Sequence, residues 1–491
     1  MKPIFRGWIK TAFSVLGTAV LLGAAQAIWA QGPAPASTPQ PDTEPDVQIL
    51  KERVKQLEQT VEELKKQIGL VEAAQKPATN VTSNAGQPST GVSSLPGSTS
   101  SLPAAIPAGK ADNPNGESKF EVYGFAMLDT GYDFKTNHPD WYDTMRPTKL
   151  PSFGGEFGPE GKTYMGVRQS RLGVKYTAPT KYGELKTIFE FELFGTGADA
   201  GKTIFRIRHA YGELGHFGAG QYWTVFGDTD AYPNTFEYWG PNGLVWFRNI
   251  QFRWMPLKGR NSVTIGFEKP GASADQGNFA DRIELQGIKP QFSWPDLTGH
   301  VRWDRSWGHL QLSGVVRSIK WKDLNNDGID LSGSKVGYGG SVSSHLNFSK
   351  NNIGRFQATF GTGIENYMND APVDVGLKLR PGDHIRPVEG VTLPVFGTSL
   401  FLDHTWSKKF TSSVGYSMLN IENSNGQAPN AFHRGHYGLG NLLYTPLPNV
   451  TLGGEFQWGR RENFLDGFGV NDFRIQFSFK YNFSKVIKFT E

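Results

Sequence analysis

The run Phe473-Arg474-Ile475-Gln476-Phe477-Ser478-Phe479-Lys480-Tyr481-Asn482-Phe483 alternates apolar and polar side chains without a break. Successive side chains of an extended strand point to opposite faces, so this segment has one purely apolar face and one polar, basic face. A soluble sandwich would need a second sheet to cover the apolar face. A closed barrel turns that face to lipid, with aromatics at the two interfaces. The same period recurs at Phe120, Val122, Gly124, Ala126 and Leu128, at Leu185, Thr187, Phe189, Phe191 and Leu193, and at Val450, Leu452, Gly454, Phe456 and Trp458.

The connectors between such segments alternate in length. Short turns fall near 178–183, 215–216, 258–261, 306–308, 349–352, 407–408 and 447–449. Long polar stretches fall near 135–167, 195–202, 227–247, 269–298, 322–335, 366–392, 422–432 and 461–471. Short turns on one side and long loops on the other mark an outer-membrane barrel, and these connectors give about 16 strands with both ends on the short-turn, periplasmic side. Such a barrel encloses a water-filled lumen. Composition agrees: 13% of residues are aromatic and 59 are glycine, yet only 38% are hydrophobic. The absence of cysteine excludes a disulfide scaffold, thiolate metal sites and cysteine nucleophiles. A net charge of +4 lacks the basic field of a nucleic-acid binder.

The N-terminus has the pattern of an export signal, residues 1–30. Lys2, Arg6 and Lys10 precede an apolar stretch from Thr11 to Ala25, and Ala25-Gln26-Ala27 or Ala30 offers a cleavage site. The apolar stretch is shorter than the ~20 residues that span a bilayer, and no other run approaches that length, so membrane insertion falls to strands. Residues 31–45 are Pro-rich and expected to be disordered. A coiled coil is predicted over 46–72, where Val47, Leu50, Val54, Leu57, Val61, Leu64, Ile68 and Val71 alternate spacings of three and four between charged flanks. An amphipathic helix lying on the barrel or membrane is the alternative. β-Branched residues at one seam position and leucine at the other lean toward two helices. Residues 73–117, rich in Ser, Thr, Pro, Gly, Ala and Asn, form a flexible linker to the barrel at 118–491.

Ser170-Arg171-Leu172-Gly173-Val174-Lys175 resembles the second strand of many porins. The run Arg206-Ile207-Arg208-His209-Ala210-Tyr211-Gly212-Glu213-Leu214, continuing to Gly220-Gln221-Tyr222-Trp223 and Phe226-Gly227-Asp228, is similar to a central strand pair of the DcaP-like family of trimeric outer-membrane porins. Gly240-Pro241-Asn242-Gly243 followed by Arg248-Asn249 resembles that family's loop after the fifth strand, and a coiled coil with a linker is also a family feature. The resemblance implies a homotrimer, a constricted pore and passage of small anions, notably dicarboxylates. A short coil yields to a large barrel interface, so the trimer is the expected assembly despite the heptad composition. The chain departs from the usual pattern after Phe483, continuing through Ser484-Lys485-Val486-Ile487-Lys488-Phe489 to Glu491.

Rings of Arg or Lys select anions, and loops folded inward set a pore's diameter. Basic residues that alternate with apolar ones are expected to line the lumen: Arg171, Lys175, Arg206, Arg208, Arg253, Arg302, Arg317 and Arg474. Guanidinium groups take carboxylates in a bidentate fork, so a ladder of them would pass a dianion from site to site. The competing expectation is that they pair with lumenal carboxylates such as Glu190, Glu192, Asp304 or Glu455. Alternation breaks near His209–Glu213, as at a bulge. The loop 227–247, with Asp228, Asp230, Tyr232, Phe236, Glu237, Tyr238 and Trp239 among prolines and glycines, is the constriction candidate; the alternative places it at a subunit interface or the pore mouth. Asp323, Asn325, Asp327 and Gly328 match the start of a calcium loop. Ser334 stands where such a loop needs a bidentate Glu, though Asp330 could substitute; an Asn-Asp-Gly hairpin turn is the plainer reading.

The sequence thus predicts an all-β transmembrane barrel preceded by a periplasmic coiled-coil helix, set in outer-membrane lipid and lipopolysaccharide. Its work would be passive diffusion of small anionic solutes, without catalysis. A structural anchor tethering the envelope through its coiled coil is the alternative; deleting residues 31–117 separates the two, since a porin keeps its conductance. No convergent Ser/His pair supports a phospholipase, and the N-terminal region is not the folded plug of an iron-complex transporter.

Overall fold

The structure, a computed structural model, describes residues 116–275, 287–326 and 328–489, together with Lys55. The expected export signal, Pro-rich segment, coiled coil (Lys55 apart) and all of the linker before residue 116 lie outside the described residues.

Period-two patterning becomes strands β1 (Ser118–Asp133), β2 (Lys162–Gly166), β3 (Arg171–Thr180), β4 (Gly183–Phe194), β5 (Thr203–Leu214), β6 (Phe217–Trp223), β7 (Arg248–Leu257), β8 (Asn261–Glu268), β9 (Ile288–Pro290) and β10 (Asp296–Arg305). They continue as β11 (Gly308–Asp323), β12 (Gly333–Asn347), β13 (Asn352–Thr362), β14 (Val375–Leu379), β15 (Val388–Thr392), β16 (Pro394–Thr405), β17 (Phe410–Ile421), β18 (Phe432–Leu447), β19 (Val450–Asn463) and β20 (Gly469–Phe489). Sixteen of these form a closed antiparallel barrel. Of the other four, β14 and β15 pair with each other in a loop hairpin, and β9 adds to one end of β11. β2 continues the second wall strand: β1 pairs with β3 over Lys119–Phe125 and with β2 over Asp129–Asp133.

The barrel closes where β1 meets β20, in unbroken register from Ser118↔Phe489 to Asp133↔Arg474. β20 therefore does not stop at Phe483. Ile487 and Phe489 prolong the same outward face, and the departure noted in the sequence is a longer strand. Phe473, Phe477, Phe479, Tyr481 and Phe483 are exposed on the outside, while Arg474, Gln476 and Ser478 are buried inside. Both barrel ends lie at the rim with the seven short turns, and the loops gather at the other rim. The tightest turns hold two residues; Asn449, in the turn from β18 to β19, is the one non-glycine at positive φ (70°) among the described residues, a conformation asparagine tolerates.

Two irregularities aim extra side chains inward. The break between β2 and β3 buries Arg168 and Gln169 inside the barrel. In the β4–β5 pair, Glu190↔His209 is followed by Phe191↔Ile207, so Arg208 is a bulged residue, and the kink falls one residue before the expected stretch. The lumen is also less uniformly polar than a plain channel. Inward-facing Val315, Val395, Leu419 and Ile421 form a buried cluster with the loop residues Phe226, Val245, Ile364, Tyr367 and Met368. This apolar contact fastens two loops to the wall from within.

Candidate functional site

The loop between β6 and β7, residues 224–247, is folded into the barrel, and none of its residues is fully exposed. Its backbone is held by inward-facing polar side chains round the wall. Glu268 on β8 accepts from Val225 N–H at 2.8 Å, and Ser313 on β11 donates to Phe226 C=O at 2.7 Å. Gln357 on β13 accepts from Val245 N–H at 2.6 Å, and Ser417 on β17 accepts from Gly243 N–H at 2.9 Å. Glu455 on β19 accepts from two consecutive amides, Phe236 at 2.5 Å and Glu237 at 2.8 Å. A Cβ at Gly243 would stand 2.2 Å from the Met418 carbonyl oxygen and 2.6 Å from that of Thr398, so only glycine lets the loop lie against the wall backbone there.

Other loops lock onto this one. The Glu237 carboxylate accepts from Met145 N–H at 3.0 Å and from Gly240 N–H. Burial raises the Glu237 carboxyl to about 7, although those two amides pull the other way. The Arg146 guanidinium lies over both the Trp141 (4.1 Å) and Trp239 (3.8 Å) rings, which meet edge to face, and pairs with Asp370 at 2.8 Å, joining three loops at one point. Trp239 Nε1 also donates to Asn369 C=O at 2.7 Å, and Tyr232 stacks on Trp246 at 4.4 Å.

On the wall facing Tyr238, four guanidinium groups converge on two carboxylates. Glu190 receives Arg208 at 2.7 Å and Arg171 at 3.6 Å; Glu192 receives Arg206, Arg208, Arg171 at 3.7 Å and Arg248 at 3.6 Å. Tyr238, stacked on Phe194, donates to Glu192 at 2.5 Å and accepts from Arg206 at 2.8 Å. The group keeps two positive charges in excess. Arg206 and Arg248 retain 21% and 17% of their side-chain surface, so they face open lumen, whereas Arg208 is sealed at 4%. Three buried donors of this cluster, Arg171 Nε, Arg206 Nε and Arg248 Nη1, have no hydrogen-bond partner among the described residues.

A second cluster, of opposite sign, lies where the loop leaves β6. Arg302 on β10 pairs with Asp228 (3.3 Å), Asp230 (2.5 Å) and Asp304 (3.0 Å). Arg355 on β13 pairs with Asp403 at 2.5 Å, and His309 on β11 meets Asp228 at 2.6 Å. Burial works to raise the Asp228 carboxyl, but His309, Arg302 and Ser343 together hold it below the usual carboxylate range.

The eight basic residues expected to form a ladder therefore have separate fates. Arg171, Arg206 and Arg208 come together. Arg302 joins the acidic cluster. Lys175 lies farther along β3, 3.7 Å from Glu121 and over the Tyr123 ring. Arg253 has no carboxylate partner among the described residues and lies over Tyr211 and Tyr222. Arg317 and Arg474 are buried struts, not ladder rungs: Arg317 ties Asp296 (2.9 Å) to Asp374 (2.7 Å) of a loop, and Arg474 pairs with Asp133. Glu455, an expected arginine partner, holds loop amides instead. Arg248 was not anticipated, because strict alternation places it outward with Ile250 and Phe252. Of the calcium-loop residues, Asp323 accepts from the amides of Asn325 (2.9 Å) and Leu331 (3.0 Å), the bonding of a self-closed hairpin loop; Asp327 lies outside the described residues.

A closed barrel with an apolar exterior and a loop folded into a charged lumen defines an outer-membrane channel of the porin class. The family model described as DcaP outer membrane protein matches residues 107–368, more than half of the chain, and the protein belongs to that family. The crystal structure of the outer membrane channel DcaP of Acinetobacter baumannii superposes with a TM-score of 0.61 at 19% identity, covering 74% of this chain and 97% of that one. An anion-selective porin from Comamonas acidovorans gives 0.48 at 11% identity, covering 75% and 100%. A loop-deleted OmpT of Vibrio cholerae gives 0.47 at 12% identity, covering 74% and 99%. No curated protein sequence matches the chain.

Proposed function

We propose that this porin is a passive, anion-preferring diffusion channel for small carboxylates, narrowed by the loop 224–247. The observation that carries the reading is the arginine cluster. Four guanidiniums share two carboxylates, two of them face open lumen, and three of their buried N–H groups lack acceptors among the described residues. Buried donors on a positive centre are costly unless water or an anion takes them up, and a carboxylate fits the guanidinium fork. A dicarboxylate would bridge Arg206 and Arg248 while Tyr238 supplies an apolar edge. Assembly as a homotrimer follows the family resemblance. The short-turn rim would face the periplasm, where the coiled coil would stand.

The test is the reversal potential in a planar bilayer under a potassium chloride gradient. Anion preference is expected, and replacing Arg206 and Arg248 together by alanine should reduce it. Cation preference in the unaltered channel would overturn the reading.

A further inference from the structure

We propose that Asp230, His309 and His345 form a lumenal binding site for a divalent transition metal, with zinc as the reference ion. One ligand atom from each of the three residues lies within 4.8 Å of the others. His309 and His345 are cross-strand neighbours on β11 and β12, between the pairs Gly308↔Leu346 and Gln311↔Ser343. Their Nδ1 atoms face each other at 3.0 Å. Two imidazole nitrogens at that distance need something between them. A proton on one satisfies the pair; so does a metal taking both lone pairs, since Zn–N bonds of about 2.0 Å at a tetrahedral centre set the nitrogens about 3.3 Å apart.

The groups behind the ligands are arranged for the same purpose. His309 Nε2 meets Asp228 at 2.6 Å, and Ser343 donates to the same carboxylate at 2.6 Å. That bond puts the His309 proton on Nε2 and leaves Nδ1 as a lone pair, the carboxylate–histidine–metal relay that fixes a ligand's tautomer. Arg302 takes Oδ2 of Asp230, and Oδ1 has no hydrogen-bond partner among the described residues. Charge points the same way. Arg302 and Arg355 are set against Asp228, Asp230, Asp304 and Asp403, so with neutral imidazoles the cluster carries two surplus negative charges. One divalent cation balances it. Two histidines and one carboxylate suit zinc or copper better than calcium or magnesium, which prefer all-oxygen sites.

The experiment uses the full chain in detergent, purified without a histidine tag, with Zn2+ as titrant against a chromophoric chelator. One Zn2+ per chain is expected, weakened roughly tenfold or more in His345→Ala, and weakened also in Asp228→Asn through the tautomer. Equal binding by the unaltered protein and His345→Ala, or no stoichiometric binding, would overturn the site. Should His345→Ala fail to fold, Co2+ bound to the unaltered protein decides: intense visible bands of a four- or five-coordinate centre support the site, and the weak spectrum of the hydrated ion refutes it. Zinc should also move the reversal potential further toward anions by cancelling the acidic cluster. That last effect depends on the proposed anion preference; the binding measurements do not.

Discussion

Glu455 holds the backbone amides of Phe236 and its neighbour Glu237 across the lumen, a carboxylate in the wall gripping a loop 219 positions earlier in the chain. Hydrogen bonds to a charged group contribute about 1.5–3 kcal/mol each, and the amides left bare after its removal are buried. Glu455→Ala should therefore lower unfolding stability by about 2–4 kcal/mol. Single-channel recordings should show a larger or noisier conductance as the loop swings free; an unchanged trace would mean that the loop does not narrow the path.

Gly243 tests the same attachment from the loop side. Gly243→Ala puts a methyl group into the backbone of β16 and β17, which has no room to yield. The loop should undock at this point, with conductance changed in the same direction as for Glu455→Ala. A variant with unaltered conductance and stability would contradict the close approach.

Arg206 and Arg208 differ by two positions but should respond differently. Arg208 is sealed against Glu190 and Glu192, so Arg208→Ala leaves buried carboxylates short of a partner and should cost about 3–5 kcal/mol. Arg206 is partly exposed, and Arg206→Ala should cost less than about 1 kcal/mol while reducing anion preference. Denaturant unfolding and reversal potential, measured on both variants, separate the strut from the selector.

Glu237 gives a pH dependence with a definite sign. Its carboxyl holds a proton up to about 7 in the folded protein, against 4.5 ordinarily. Between those values the folded state binds more protons than the unfolded chain, so stability falls as pH rises through this window. Below about 4.5 the contribution is fully present, and above about 7 it is lost. Thermal unfolding of the unaltered protein should decline from pH 4.5 to 7 by more than that of Glu237→Gln; parallel profiles would show that this group is not responsible.

The lipid-facing assignment has a direct check at Phe477, which is exposed on the outside of β20. Phe477→Arg should destabilise the membrane-inserted barrel by about 2–4 kcal/mol if it lies near the bilayer midplane. Refolding into vesicles measures the loss, and an unaffected variant would mean that this face does not meet hydrocarbon.

The barrel was legible because two local signals agree. Strict alternation in segments such as 473–483 fixes which side chains share a face, and Gly, Pro and Asn at sites such as Pro448-Asn449 mark the reversals. The expected turns accordingly fall at the observed ones. The site was less legible, for reasons that are tertiary. A bulge at Arg208 changes facing without changing composition. Arg248 sits where loop becomes strand, so alternation assigns it to the wrong side. On β17, Val414 and Tyr416 face out while Leu419 and Ile421 face in, because two loops dock against them; an apolar residue alone does not say which side is lipid. His309 and His345 are 36 positions apart, and only the β11–β12 register brings their rings together.

The seam between β1 and β20 has a consequence for biogenesis. It joins residues more than 340 positions apart, so nothing made before the final strand is yet a cylinder. Until that last strand arrives, a curved fifteen-strand sheet carries two raw margins of unpaired peptide groups that oil cannot solvate. Closure is a single late, long-range event, slow by its entropy. The nascent polypeptide must be sheltered along both margins until they find each other.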